Sequence, residues 1–473
     1  MTAAAPHVPV LAAADPAAGP RRALVLAGGG MRVAYQAGVL VGLERAGLTF
    51  AHADGTSGGT MNLAMLFSGL TPAEMCERWR TLDVRRFVSL PSVGRLLRGP
   101  PYPGLGTAAG IRRHVYPHLG IDPDRIRAAR GMAGTFNVCD YERKECVAVE
   151  HESVDLDLLV AGVSLPILSP AVRRAGRIYV DAVWIKDANI GEAVRRGAEE
   201  LWLVWAIGNH GVYRDGAFQA YVHMIEMSAN GSLFAELRAV EAGNAGRERP
   251  IRLHVIRPRF PLPLDPDLLL GRIDAATLVA MGHRDACRYL SERRPEGVGL
   301  GPEATRMADP RPGVGFGERL TGDVGGRLRV RLGWEVDDLG AFAGTRAGTL
   351  VGDVSHPALG DGVLATGGEF RREPGGWGAE LRLPGGGSLE LERERLLRGP
   401  VRARLRDGAG AEIGVGVLAR EGAPGWARLH ARGVASAGAG ARAVLRFGWL
   451  LLRGGPGPGP GLGGPAVVAG ESD

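Results

Sequence analysis

A chain of 473 residues that is 45% hydrophobic, with a mean hydropathy of −0.01, is long enough for two or three domains and reads as soluble and globular. Lys+Arg number 57 against 51 Asp+Glu, but Lys144 and Lys186 are the only lysines, so arginine carries the basic balance of a Gly- and Ala-rich chain, which weakens a nucleic-acid reading. No run approaches a membrane span. Cys76, Cys139, Cys146 and Cys287 form no CxxC pair and have no histidine cluster beside them, which argues against zinc and against a disulfide framework. A cytoplasmic protein is expected, with peripheral contact at the inner face of the membrane left open.

In chain order, residues 1–20 are an Ala- and Pro-rich arm expected to be disordered. From 21 to 300, apolar strand-like runs ("RALVL", "FAHADG", "GTFNVCDY", "LWLVWAIG", "IRLHVIRP") alternate with helical patterns such as "VAYQAGVLVGLERAG" and "TMNLAMLFSGL". That alternation predicts an α/β domain with a mainly parallel central sheet covered by helices. From 311 to 454 the chain changes to short alternating runs between glycines, such as "GRLRVRLGWEV", "AELRLPGG" and "PVRARLRDG", which predicts an all-β domain. The Gly- and Pro-rich tail, 455–473, is expected to be disordered.

Two glycine-rich turns carry the chemistry. The first, Gly28, Gly29, Gly30, Met31, Arg32, follows a strand and opens a helix, where bare backbone N–H groups hold an anion. With Asp54 as a ribose-binding acid it reads as a dinucleotide loop, although Val33 stands where that pattern needs glycine. The second turn, "GTSGG" from Gly55 to Gly59, fits G-x-S-x-G with Ser57 at its centre. A sharp strand-to-helix turn around a nucleophilic serine needs tiny neighbours two residues either side, and Gly55 and Gly59 supply them. If Ser57 attacks an acyl carbonyl, the first loop is placed to hold the oxyanion that develops.

This pair of motifs, with the later "GRIYVDAVWIKDANIGEAVRRG", resembles the patatin-like phospholipase family over about residues 22–290. The resemblance implies a three-layer sandwich and a lipid acyl hydrolase with a Ser57–Asp181 dyad. It also implies an oxyanion hole at Gly28, Gly29 and Gly30, and an acyl-enzyme formed without metal or cofactor. Substrates would be phospholipids or other acyl lipids, and Arg32 would neutralise charge near the loop or bind a lipid phosphate. The chain departs from the family pattern at Val33 and Ala182, where glycines are usual, and at Asp187 and Asn189, which replace an Asn-x-Pro. Two other readings stand beside this one: a catalytically inactive lipid-binding protein, and a nicotinamide-dependent oxidoreductase using Gly28–Gly30. His52, His151, His210 and His223 sit in no recognisable triad context. The stretch 85–98, where Arg85, Arg86, Arg95 and Arg98 interleave with Phe87, Leu90, Leu96 and Leu97, reads either as a basic amphipathic patch or lid docking on anionic lipid or as a surface helix with a solvated Arg face.

Scattered residues from Gly313 to Gly454, among them Phe316, Glu318, Asp337, Asp338, Pro357, Phe370 and Phe447, resemble the β-rich accessory segment of sterol-oxidase-like flavin oxidoreductases. No flavin-binding half accompanies them. A lipid- or partner-binding β-barrel or sandwich and a packing domain with no ligand are both open readings of this part.

Overall fold

The computed structural model describes residues 4–13, 19–87, 89, 106–422, 425–434 and 436–452. Part of the N-terminal arm, Leu90 to Arg98 of the basic stretch and the whole 455–473 tail lie outside them.

The first half is built on an eight-stranded sheet: β1 (Arg22–Leu26), β2 (His52–Gly55), β3 (Ala133–Asp140), β4 (Glu145–Glu150), β5 (Val172–Arg174), β6 (Arg177–Asp181), β7 (Glu200–Val204) and β8 (Arg252–Ile256). The order is 5-6-3-2-1-7-8, with β4 also on β3. Strands 3, 2, 1, 7 and 8 run parallel, while β4, β5 and β6 join antiparallel at one edge, so the sheet is mixed around a parallel centre.

Along β1, Leu24 and Leu26 enter one apolar cluster while Ala23 and Val25 enter another on the opposite face. A strand buried on both faces reads as a continuous apolar run, which is why "ALVL" shows no alternation. Helices α1 (Ala34–Arg45), α2 (Gly58–Phe67) and α3 (Pro72–Thr81) cover the first face. Helices α4 (Ile190–Arg195) and α5 (Ala217–Asn244) cover the second, completing three layers.

A short helix α6 (Asp265–Leu269) leads into α7 (Ala275–Glu292), which crosses α1 at backbone contact. A Cβ at Gly38 would lie 1.9 Å from the Val279 carbonyl oxygen, and one at Gly282 would lie 1.9 Å from that of Tyr35. Small residues on both helices are therefore what let α1 be buried from Ala34 to Leu43.

The second half opens with β9 (Gly313–Asp323) and β10 (Arg327–Val336), then α8 (Leu339–Thr345) and β11 (Ala347–His356). Nine of its ten antiparallel strands follow one path, the tenth, Gly360–Leu364, pairs with β11 beside it, and β9 pairs both with β10 and with the strand Glu412–Glu421, closing the sheet into a barrel. Its interior is filled: Trp334 stacks on Phe316 at 5.6 Å and meets Phe370 edge-on at 5.0 Å. A buried Arg393 lies over Trp334 and pairs with buried Glu318. A final helix α9 (Ala437–Leu452), which strand alternation did not announce, places Phe447 against Phe342 in this core.

The halves share packing. Val351 and Leu364 of the barrel belong to the apolar cluster of the first half. His283 Nδ1 of α7 lies 2.9 Å from the Ala365 carbonyl oxygen, and Arg80 of α3 lies 3.6 Å from Asp353. Cys139 and Cys146, distant from a metal motif in sequence, stand opposite each other across β3 and β4 as free thiols.

Candidate active site

β2 ends at Gly55 and α2 begins at Gly58, so Ser57 is held between them with φ 51° and ψ −129°. A non-glycine residue in that region is strained, and here the strain turns the hydroxyl out of the helix start. Gly59 is needed because a Cβ there would lie 2.1 Å from the Leu26 carbonyl oxygen.

Ser57 Oγ donates to Asp181 Oδ2 at 2.7 Å. Asp181 closes β6, and its other oxygen accepts from the Val183 N–H at 2.9 Å, which fixes the carboxyl and leaves Oδ2 to the serine. Burial raises the Asp181 carboxyl to about 7, against the lowering effect of those two hydrogen bonds. Ala182 and Val33, which replace glycines of the family pattern, carry no strain. Neither has a positive φ, and Val33 sits at −66°. The left-handed positions are Gly29 and Gly30, at φ 154° and 60°.

The glycine loop is pinned from four sides. Gln36 Nε2 donates to the Ala27 carbonyl at 2.6 Å, and Asn62 Nδ2 to that of Val33 at 2.8 Å. Gly28 N–H donates to both oxygens of Asp187 at 3.0 and 3.1 Å, and Met31 N–H to Asp265 Oδ1 at 3.0 Å. Of the three expected oxyanion donors, Gly28 is thus already engaged. Among the described residues the N–H groups of Gly29 and Gly30 have no acceptor.

Asp187 is fully buried, and burial first, then the charge of Asp181, raises it to about 8. A point one bond from the Gly28 Cα is 2.2 Å from Asp187 Oδ1 and 2.9 Å from Ser57 Cβ, so serine, loop and second carboxyl converge. Asp187 entered the sequence reading only as a departure, and Asp265 did not enter it.

Beneath the elbow, Asp54 accepts from Thr135 and Asn137, both at 2.6 Å, and Asn189 Nδ2 donates to Asn137 Oδ1 at 3.0 Å. Asp54 has no exposed surface, so it cannot reach a ribose hydroxyl, and the dinucleotide reading of the loop is corrected on that ground. His52 is bound to Thr135 at 2.8 Å and pushed down to about 3 by burial. His151 lies against the Ala129 carbonyl at 3.1 Å, and His223 lies beside Glu226 at 3.2 Å. His210 takes the Val212 N–H at 3.2 Å. Ser57 Oγ bonds to none of them.

Arg32 is buried, bonds the Gly29 carbonyl through Nε at 3.0 Å, and lines a cavity of about 950 Å³. Of the basic stretch, Val84–Phe87 forms one 3₁₀ turn in which Arg86 pairs with Asp83 at 3.4 Å. Among the described residues no cluster of His, Cys, Asp and Glu is arranged to hold a metal.

The order strand, glycine loop, helix, strand, serine elbow, then aspartate at a strand end falls inside one matched stretch. Residues 24–194 match the patatin-like phospholipase family. This patatin-like region contains the loop, Ser57, Asp181 and Asp187, and stops before Asp265. Among solved structures, VipD from Legionella pneumophila is similar over 58% of this chain and 67% of its own, at 11% identity and a TM-score of 0.33. No curated protein matches the chain.

Proposed function

We propose that the protein hydrolyses carboxylic esters of acyl lipids, with Ser57 as nucleophile and Asp181 as general base. The observation that supports this reading is the 2.7 Å bond from the strained Ser57 hydroxyl to a single carboxylate oxygen, beside a loop with two free N–H groups. In the first step Ser57 Oγ bonds to the ester carbonyl carbon while its proton passes to Asp181 Oδ2. The carbonyl oxygen becomes an oxyanion facing the Gly29 and Gly30 N–H groups. Collapse expels the alcohol, which takes the proton back from Asp181. Water then repeats the sequence on the acyl-enzyme, releasing the fatty acid.

A base is most effective near the ambient pH, and a carboxyl raised to about 7 meets that condition without histidine. Ser57, 5% exposed, sits where water competes little with those donors. For the barrel, the sterol-oxidase-like likeness remains a reading of the sequence, and its aromatic-filled interior supports packing rather than ligand storage. Covalent labelling by a fluorophosphonate, located at Ser57 by mass spectrometry, tests the reading together with hydrolysis of a short chromogenic ester. An unlabelled, inert wild-type protein would instead support the inactive lipid-binding alternative.

A further inference from the structure

Helix α9 is fastened to the barrel by Ala443, Phe447 and Leu450, all buried. Its other side presents Arg442, Leu445, Arg446, Trp449 and Leu452, whose spacing of three and four places them on one face. Leu445 is 73% exposed and Leu452 86%. Leu445 also rims the 950 Å³ cavity, as does Leu270, itself 65% exposed, and the same cavity is lined by Arg32 of the glycine loop. An exposed apolar stripe therefore runs to a cavity that has Arg32, next to the glycine loop, in its wall.

The charge of that cavity is positive. Five arginines, Arg32, Arg214, Arg272, Arg428 and Arg432, line it against two carboxylates, Glu226 and Asp267, and Asp267 is paired with Arg272 at 3.0 Å. Arg32, Arg214 and Arg428, which line the cavity, make no ion pair among the described residues, and neither do Arg442 and Arg446 on α9.

We propose that the outer face of α9 and the adjoining cavity mouth dock on an anionic phospholipid surface. Leu445 and Leu452 enter the acyl boundary while Arg442, Arg446 and Arg428 meet phosphates. Exposed leucines flanked by arginines match the two environments of a bilayer interface. A two-fold pairing of two copies on this face would bring Arg442 and Arg446 against their own kind, which disfavours self-association. The proposal rests on the acyl-hydrolase reading only for the fate of a docked lipid, which the cavity leads toward Arg32.

The test is vesicle flotation of the full chain carrying Ser57→Ala, so that binding is read without turnover. Vesicles of phosphatidylcholine alone are compared with vesicles containing about a third phosphatidylserine. Binding should be about tenfold tighter to the anionic vesicles and should weaken with salt. Leu445→Glu with Leu452→Glu should weaken it about tenfold. Arg442→Gln with Arg446→Gln should cost about fivefold for each arginine on anionic vesicles only. The substituted positions on α9 are exposed, and a retained melting temperature confirms that the variants fold. Equal affinity for both vesicles, or variants that bind like the parent, would overturn the proposal. So would a parent dimer that the leucine variant converts to monomer in ultracentrifugation, which gives the face to a second copy. Protection of Leu445 from hydroxyl-radical footprinting in the vesicle-free monomer would overturn it too, in favour of residues 453–473. Failure of the hydrolase reading shows separately, as an unlabelled wild-type Ser57.

Discussion

Asp187 holds the Gly28 N–H with both carboxyl oxygens, at 3.0 and 3.1 Å, across 159 residues of chain. Asp265 takes the Met31 N–H at 3.0 Å from the other end of the loop. Between these two acceptors the Gly29 and Gly30 N–H groups are left unbonded and fixed, which is what preorganised stabilisation of an oxyanion requires. Asp187→Asn keeps an acceptor for Gly28 and should leave kcat within about threefold. Asp187→Ala and Asp265→Ala free one end of the loop and should each lower kcat about tenfold or more with KM little changed. Steady-state kinetics on a soluble ester decide this, and a larger loss in Asp187→Asn than in Asp187→Ala would show that the carboxyl acts otherwise.

Activity and stability should move in opposite directions with pH. Deprotonation of Asp181, raised by burial to about 7, makes the base available, so kcat/KM should climb through that value. Asp181, Asp54 and Asp187, at about 7, 7 and 8, all hold protons more tightly folded than in the unfolded chain, where the carboxyl lies at 3.8. Their contribution to stability is complete below the unfolded value and is lost as pH rises through the folded values. The melting temperature should therefore fall from about pH 4 to about pH 8 and level off above it, and Asp187→Asn should flatten the upper part of that fall. A melting temperature that rises across this range would contradict the burial of these groups as protonated acids.

Ser57→Ala and Asp181→Asn should each remove nearly all turnover, on the order of 10⁴-fold, because members of such a unit fail together. Alanine at His52, His151, His210 or His223 should cost far less in any variant that stays folded, since none of these rings bonds Ser57 Oγ. Collapse of kcat in a stably folded histidine variant, beside a mild Asp181→Asn, would replace the dyad with a triad.

Two glycine-related substitutions separate close approach from backbone conformation. Gly59→Ala forces a methyl to 2.1 Å from the Leu26 carbonyl oxygen and should abolish labelling of Ser57. Ala182→Gly relieves nothing, because Ala182 has no positive φ, and should leave kcat unchanged while destabilising by about 0.5–1 kcal/mol through backbone entropy. A gain in activity from Ala182→Gly would mean that the Asp181 turn is strained after all.

Leu364 belongs to the barrel by sequence and to the first half by packing. Because α7 is covered by the barrel on the side away from α1, the halves should melt together. Leu364→Ala should lower a single calorimetric transition by about 2–5 kcal/mol. Two resolved transitions, with only one displaced, would establish independent units.

The elbow, the glycine loop and the change from helix-strand alternation to strands alone were legible in the sequence because each is a local requirement. A serine in a strained turn needs Gly55 and Gly59 within two residues, and a half-buried strand shows its period over a few positions. Asp181 was reached through family resemblance, and its bond to Ser57 spans 124 residues. Asp187 and Asp265 carry no motif that marks them as acceptors, because what makes each one matter is a backbone N–H brought to it by sheet order and by the close crossing of α1 and α7. The same holds for Asp54, which a spacing rule offered to a ribose and which the pairing of β2 with β3 buries under Thr135 and Asn137. Helix α9 shows the limit from the other side. Its arginines and leucines were visible, but only packing decides which of them the barrel takes inward, at Phe447 and Leu450, and which it leaves facing out, at Leu445 and Leu452.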